Sequence, residues 1–261
     1  MDVTMTKADG TPLLNEERLR AIADVVKNNG RALVRDLAVH FGTAEITIRR
    51  DLDVLCKRGV LKRIHGGALR VESDFNVSER EMRNASEKHA IAEAAAAMVK
   101  EGQSIVLGAG STTAAIAREL RERTNLTVIT NGIRIAQELV NSDLDVIVTG
   151  GTMRKNSYSL VGPLAEQVIS HLKADIFFMG VDGIDTHVGL FMQNLLGAQL
   201  ARVMAQMATR TVVVCDSSKF GKKSLTTIIP IHDVHAVITD RKVPRHEVEA
   251  LRTAGVEVKL V

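Results

Sequence analysis

Over residues 103–260 the chain alternates short apolar runs with longer stretches of helical periodicity, and this alternation narrows the fold more than any other feature. The runs at 104–107, 127–129, 146–149, 176–179, 212–215, 236–239 and 256–260 are mostly Val, Ile and other apolar residues. Helical patterns separate most of them, as at 113–123, 134–140 and 195–208. Strands that alternate with helices predict an α/β domain around a largely parallel sheet, because a parallel neighbour is reached only through a long crossover. In such sheets ligands collect outside the carboxyl ends of the strands.

The polar, glycine-rich sequence falls at those ends. Gly108-Ala109-Gly110-Ser111-Thr112-Thr113 follows the first run, Thr130-Asn131-Gly132 the second and Gly150-Gly151-Thr152-Met153-Arg154 the third. Glycines let the backbone approach an anion, hydroxyls add donors, and a following helix presents its N-terminus. No Walker lysine and no GxGxxG spacing is present. Capped glycine turns are the plain alternative, and repetition at three strand ends weighs against it. The candidate phosphate-binding residues are therefore Gly110, Ser111, Thr112, Thr113, Asn131, Gly132, Gly151, Thr152, Arg154 and Ser157. Asp182 in Gly180-Val181-Asp182-Gly183-Ile184-Asp185 adds an acceptor for sugar hydroxyls, and Lys219 in Asp216-Ser217-Ser218-Lys219 a cation for phosphate. No His or Cys stands at ligand spacing from Asp182 and Asp185, so neither a metal nor a cofactor is expected.

The first 70 residues have a different character. They hold 13 Lys+Arg against 9 Asp+Glu, whereas the remainder holds 21 against 22. That places the positive excess in the first quarter, where a phosphate-backbone partner would need it. Leu19, Ile22, Val25 and Val26 mark one helix, and Asn29-Gly30 stops it. Leu33, Val34, Leu37, Ala38 and Phe41 mark a short second helix that ends at Gly42. Ile48, Leu52 and Leu55 share one face of a third helix over 43–58, with Gly59 as its stop. Val60-Leu61-Lys62-Arg63-Ile64-His65 then has strand composition, and Gly66-Gly67 turns it back. Short helices around a glycine turn, followed by a basic hairpin, predict a winged helix-turn-helix. A major groove admits one helix, whose early residues reach base edges. Glu45, Thr47, Arg49 and Arg50 are the candidates for that role, with Thr43 just before them a further candidate for DNA binding. Lys57, Arg58, Lys62, Arg63 and His65 are candidates for the DNA backbone or minor groove.

The run Thr47-Ile48-Arg49-Arg50-Asp51-Leu52, with Leu55, Gly59, Arg63 and His65-Gly66-Gly67-Ala68, resembles the N-terminal signature of the deoxyribose-operon-repressor (DeoR) family of bacterial transcription regulators. Thr149-Gly150-Gly151-Thr152, Val161-Gly162-Pro163-Leu164-Ala165-Glu166 and Asp216-Ser217-Ser218-Lys219-Phe220-Gly221 resemble its effector domain, so the likeness spans nearly the whole chain. The resemblance implies a ribose-5-phosphate-isomerase-like effector domain that binds a phosphorylated sugar, which in turn alters operator affinity. Thr130-Asn131-Gly132, Gly180-Val181-Asp182-Gly183 and the ending Ala254-Gly255-Val256-Glu257-Val258 are closest to regulators of N-acetylgalactosamine and amino-sugar use. Three departures stand out. Ala44 replaces a usual serine, leaving Thr43 to cap the third helix. Gly108-Ala109 replaces a usual aspartate and serine. Phe191-Met192-Gln193 and Leu195-Leu196-Gly197 make one pocket wall more apolar.

The expected organisation is a flexible stretch at 1–12, a DNA-binding domain at 13–70, a linker at 71–85, and an effector and oligomerisation domain at 86–261. No apolar run approaches the ~20 residues of a membrane span, and the start has no signal-peptide core, so a cytoplasmic protein without membrane partners is expected. The expected partners are double-stranded operator DNA, a phosphorylated sugar and further copies of the chain, as a dimer or tetramer. Two rivals are a sugar-phosphate isomerase fused to a DNA-binding domain, and a DNA-binding protein whose second domain only oligomerises. Isomerases of this kind place a lysine shortly after their carboxylate motif, and this chain has none between Asp185 and Lys219. No catalytic residues are therefore assigned, and a non-enzyme is expected.

Overall fold

The computed structural model of the chain describes residues 15–58, 60–70 and 77–261. The expected flexible stretch at 1–12, the helix stop at Gly59 and the first part of the 71–85 linker lie outside the described residues. The chain divides into two compact units, Met1–Ser73 and Asp74–Val261.

The first unit runs α1 (Asn15–Asn29), β1 (Arg31–Leu33), α2 (Val34–His40), α3 (Glu45–Lys57), β2 (Leu61–Ile64) and β3 (Gly67–Arg70). Leu19, Ile22 and Val26 of α1 meet Leu37 of α2 and Ile48, Leu52 and Leu55 of α3 in one core. Each such side chain contributes roughly 1.5–3 kcal/mol on full burial. The three strands form an antiparallel sheet in the order β1-β3-β2, which makes the unit a winged helix-turn-helix.

Two local expectations are corrected. The chain does not pass from Gly30 directly into a helix, because residues 31–33 pair with β3 in the register Ala32↔Ala68. Gly67 permits this: a Cβ there would stand 2.3 Å from the carbonyl oxygen of Ala32. Nor does Thr43 cap α3, whose N-cap is Ala44 with no side-chain cap bond. Thr43 belongs to the end of α2 instead. Its N–H donates to Ala38 O at 3.0 Å and that of Gly42 to Val39 O at 3.3 Å, with Gly42 at φ +56°. That is a Schellman closure, and it places Thr43 outside the preceding helix rather than at the start of the next.

The second unit runs α4 (Val77–Met82), α5 (Ala85–Ala96), β4 (Ser104–Leu107), α6 (Ser111–Leu120), β5 (Thr127–Thr130), α7 (Ile133–Leu139) and β6 (Asp145–Val148). It continues through β7 (Thr152–Arg154), β8 (Ser159–Val161), α8 (Pro163–Ile169), β9 (Ala174–Met179), β10 (Gly183–Asp185), β11 (Gly189–Met192) and α9 (Leu195–Met207). It closes with β12 (Ala208–Val214), β13 (Thr226–Thr227), β14 (Ala236–Thr239), α10 (Arg245–Thr253) and β15 (Glu257–Leu260). The central sheet has seven strands in the order β15-β14-β12-β9-β4-β5-β6, and every pairing in it is parallel.

Both faces of this sheet are covered, as a parallel sheet requires. Successive strand residues alternate between the two sides. Ile105, Leu107, Ile176, Phe178, Val212 and Val214 pack with α5, α6 and α7. Val106, Phe177, Met179, Val213 and Cys215 pack with α8, α9 and α10. The antiparallel hairpin β7-β8 and the small sheet β10-β11-β13 complete the unit. They supply walls that the apolar periodicity of the sequence does not announce.

Candidate functional site

In the first unit, α3 turns its non-core side to solvent. Glu45, Arg49, Arg50, Lys57 and Arg58 are exposed and Thr43 and Thr47 partly so, while Lys62, Arg63 and His65 are exposed on the β2-β3 hairpin. Arg49 Nη2 donates to Glu45 Oε2 at 2.9 Å. Arg63 Nε donates to Asp53 Oδ1 at 3.0 Å, and its Nη1 to Gly67 O at 2.6 Å. Arg58 grips Glu16 of α1 through two bonds of 2.8 and 3.1 Å. Arg50, Lys57, Lys62 and His65 enter no ion pair among the described residues. Exposed pairs of this kind are worth about 0–1 kcal/mol, so an incoming anion can displace the carboxylates.

Asp51 has a different role. It is 5% exposed, and Arg18 of α1 clasps it with Nε to Oδ2 at 2.7 Å and Nη2 to Oδ1 at 3.2 Å. The hydrogen bond to Asp51 pushes the Arg18 pKa further up, against the effect of burial. This pair ties α3 to α1 beside the apolar core they share. The sequence reading missed it because the partners lie 33 residues apart.

In the second unit a cleft opens at the carboxyl ends of β4, β5, β9 and β12. From β4 the chain moves outward to β5 and β6, then returns to build β9, β12, β14 and β15 on the other side. The loops after β4 and β9 consequently diverge, which is the physical origin of a crevice at a topological switch point. Of the predicted residues, Gly110, Ser111, Thr112, Asn131, Arg154, Ser157, Asp182 and Lys219 line this cleft. The N-terminus of α6 enters with Gly110 as an N-cap that makes no side-chain bond, leaving the first-turn N–H groups available to an anion.

Thr113, Gly132, Gly151 and Thr152 are not among the lining residues. Thr113 is fully buried and fastens the loop, its Oγ1 donating to Gly108 O at 2.5 Å and Gly110 O at 3.0 Å. Gly132 lies under the loop, where a Cβ would approach Ala109 Cα to 3.2 Å. Gly151 adopts φ +106° against Val161 and Ala165. Thr152 is exposed on β7, paired with Val161. Asn131 lines the cleft yet braces it as well, accepting from the Ala109 N–H at 2.8 Å and donating to Leu160 O at 3.1 Å.

Three cationic wall residues were not anticipated: Arg80, Arg83 and Lys88. Their segment reads as linker and alanine-rich helix. The available signal was Lys88 itself, which sits three and seven residues before the buried Ile91 and Ala95, on the apolar stripe. Lys88 is 7% exposed, and its Nζ donates to the carbonyl oxygens of Arg80 and, at 2.6 Å, Arg83. Burial, helped by Lys219, Arg80 and Arg83 and opposed by Asp216, pushes its pKa down to about 8. Burial and the neighbouring Arg80 also lower Lys219. Asp216 is held below the usual carboxylate range despite its burial, by hydrogen bonds from Ser218 and Asn84 and the charge of Lys219.

Among the described residues, Arg80, Arg83, Lys88, Arg154 and Lys219 line the cleft together with the carboxylates Asp182 and Asp216. Phe177, Met179, Val181, Met192, Ala201 and Met204 supply apolar lining. Of the Phe191-Met192-Gln193 departure only Met192 reaches the cleft; Phe191 is buried, and Gln193 is bonded to Ser224 at 2.7 Å. The arrangement suits a ligand with an anionic end and a partly apolar body.

Comparison with known proteins gives matches in both units. Residues 18–74 match the DeoR-like helix-turn-helix domain, and residues 83–241 the DeoR C terminal sensor domain. The chain is 37% identical to a putative aga operon transcriptional repressor of Escherichia coli O157:H7, over 94% of this chain and 93% of that one. It is 36% identical to the HTH-type transcriptional regulator GolR of Listeria innocua serovar 6a, over 94% and 98% of the two. Identity to the glycerol-3-phosphate regulon repressor of Escherichia coli K12 is 29%, over 94% and 98%. Among solved structures, ribose 5-phosphate isomerase A from Methanocaldococcus jannaschii aligns with 22% identity over 52% of this chain and 55% of that one, at a TM-score of 0.41.

Proposed function

The chain belongs to the DeoR family of transcriptional regulators, and from that premise we propose that it represses a carbohydrate-utilisation operon under the control of a phosphorylated sugar. Helix α3 enters the major groove through Glu45, Thr47, Arg49 and Arg50, and the β2-β3 hairpin tracks the backbone. The second unit senses the effector. The observation that carries this reading is the cleft at the strand tips, where Lys88, Lys219 and the start of α6 line one site. A phosphate there meets both lysines and the first-turn N–H groups.

The apolar lining from Met179, Met192 and Met204 favours a ligand carrying a methyl or acyl group. That agrees with an amino-sugar branch of the family. Repeated operator half-sites would be met by repeated subunits, as a dimer or tetramer. Regulation follows from linkage: an effector that prefers one arrangement of the protein shifts DNA affinity by its differential binding. A sensing role is favoured over turnover because both cleft carboxylates are engaged as acceptors. Asp182 takes Arg80 and the Gln193 N–H, and Asp216 takes Asn84 and the Ser218 N–H. Asp182 keeps neither oxygen unshared for use as a base over a substrate carbon.

The test is fluorescence anisotropy of the full chain on its own upstream promoter DNA, with and without a panel of hexose and hexosamine phosphates. Sequence-specific binding that a phosphorylated sugar alters is expected. Binding no tighter than to random DNA, or indifference to every sugar phosphate, would overturn the proposal.

A further inference from the structure

The Arg80–Asp182 pair lies on the wall of the cleft, and any phosphorylated ligand must contend with it. The two side chains retain 28% and 23% exposure, shielded yet within reach of a ligand. Asp182 Oδ1 accepts from Arg80 Nη2, and its Oδ2 accepts the Gln193 N–H at 2.9 Å. The backbone of Arg80 is held in place, since its carbonyl accepts from Lys88 Nζ. The next residue, Glu81, pairs with Arg134 and, at 3.7 Å, Arg118. Exchange of partner is therefore the easy change at Arg80, and movement of the helix is not. Arginine grips carboxylate and phosphate with the same planar fork of donors. In the structure the carboxylate occupies the guanidinium that an incoming phosphate would need.

We infer that Asp182 makes the cleft selective against bare phosphate: it holds Arg80 until a ligand arrives whose phosphate takes the arginine and whose hydroxyls take the carboxylate. Inorganic phosphate that takes Arg80 strips Asp182 of that partner and sets a dianion beside its carboxylate. A sugar phosphate brings O–H donors to the freed Oδ1, while the Gln193 N–H keeps the carboxylate oriented. Repulsion of the wrong ligand and a contact for the right one together set specificity. This inference rests on the cleft being the effector site, as proposed above.

Isothermal titration of the full chain with inorganic phosphate and with hexose and hexosamine 6-phosphates tests it, on wild type, Asp182→Asn, Arg80→Gln and the double variant. Thermal melts first establish that each variant folds. For Asp182→Asn, inorganic phosphate is expected to bind about fivefold tighter, the scale of one part-exposed ion pair. The preferred sugar phosphate shares that gain but loses its hydroxyl contact, so its preference over inorganic phosphate is expected to fall about tenfold, the scale of a hydrogen bond to a charged group. In the Arg80→Gln background the same Asp182→Asn change should leave phosphate affinity within about twofold, because the two residues act as a unit. Wild type that binds sugar phosphates while Asp182→Asn keeps the same preference over inorganic phosphate overturns this inference alone. Wild type that binds no phosphorylated compound overturns it together with the effector reading.

Discussion

Raising the pH should weaken effector binding through Lys88, and the size of the effect follows from where that lysine sits. Its ammonium is buried among Arg80, Arg83 and Lys219, with Asp216 the opposing charge, and its pKa is pushed down to about 8. Two of its three donors go to the carbonyls of Arg80 and Arg83, and the third remains for a ligand oxygen. One negative charge ~4 Å away contributes about 4 kcal/mol at an effective dielectric constant of ~20. Since one pKa unit is about 1.4 kcal/mol, a bound phosphate suffices to return Lys88 to an ordinary lysine value. Binding then takes up about half a proton at pH ~8, and between pH ~7.5 and ~9.5 the affinity falls about 20-fold. A phosphate monoester is already dianionic across that range, its second pKa being about 6. Calorimetry in buffers of different ionisation enthalpy reads the proton uptake directly. Ligand-free stability should move the other way. The unfolded lysine keeps its proton to about 10.5 while the folded one releases it near 8. The unfolded chain therefore binds more protons across that window, and this group's contribution to stability rises with pH. Lys88→Met should abolish both trends. Buffer-independent heats with a flat affinity profile would refute the reasoning.

Three further outcomes are expected. Arg50→Ala should cost about 1–3 kcal/mol of specific operator binding and leave random-DNA binding nearly intact; an unchanged footprint and affinity would remove Arg50 from the groove. Asp51→Asn strands the Arg18 guanidinium and should destabilise the first unit by about 3 kcal/mol, read by thermal denaturation, with operator affinity falling in parallel; loss of DNA binding at wild-type stability would instead make Asp51 a contact residue. Lys219→Ala should weaken sugar-phosphate binding at least tenfold, as loss of a charge-assisted bond does, while leaving ligand-free operator affinity unchanged; loss of both would mark Lys219 as structural.

Periodicity alone settled the longer helices, the seven central strands and the fold class, because apolar spacing reports which face of a helix or strand is buried whatever it is buried against. Ile48, Leu52 and Leu55 on α3 and the seven parallel strand segments are legible for that reason. So are the polar strand tips, since ligands in a parallel sheet meet the carboxyl ends. Tertiary structure decided which of those tips converge. Thr113 and Asn131 come from equivalent loops, yet one fastens the first loop from below while the other lines the cleft. It also decided the partners of the buried charges. Arg18 with Asp51, and Arg80 with Asp182 across 102 residues, are pairings between segments that the chain brings together only after the sheet and helices pack. A charge is visible in a sequence, but its neighbours in space are not. In this protein those neighbours tie α3 to α1 and set the electrostatics of the cleft.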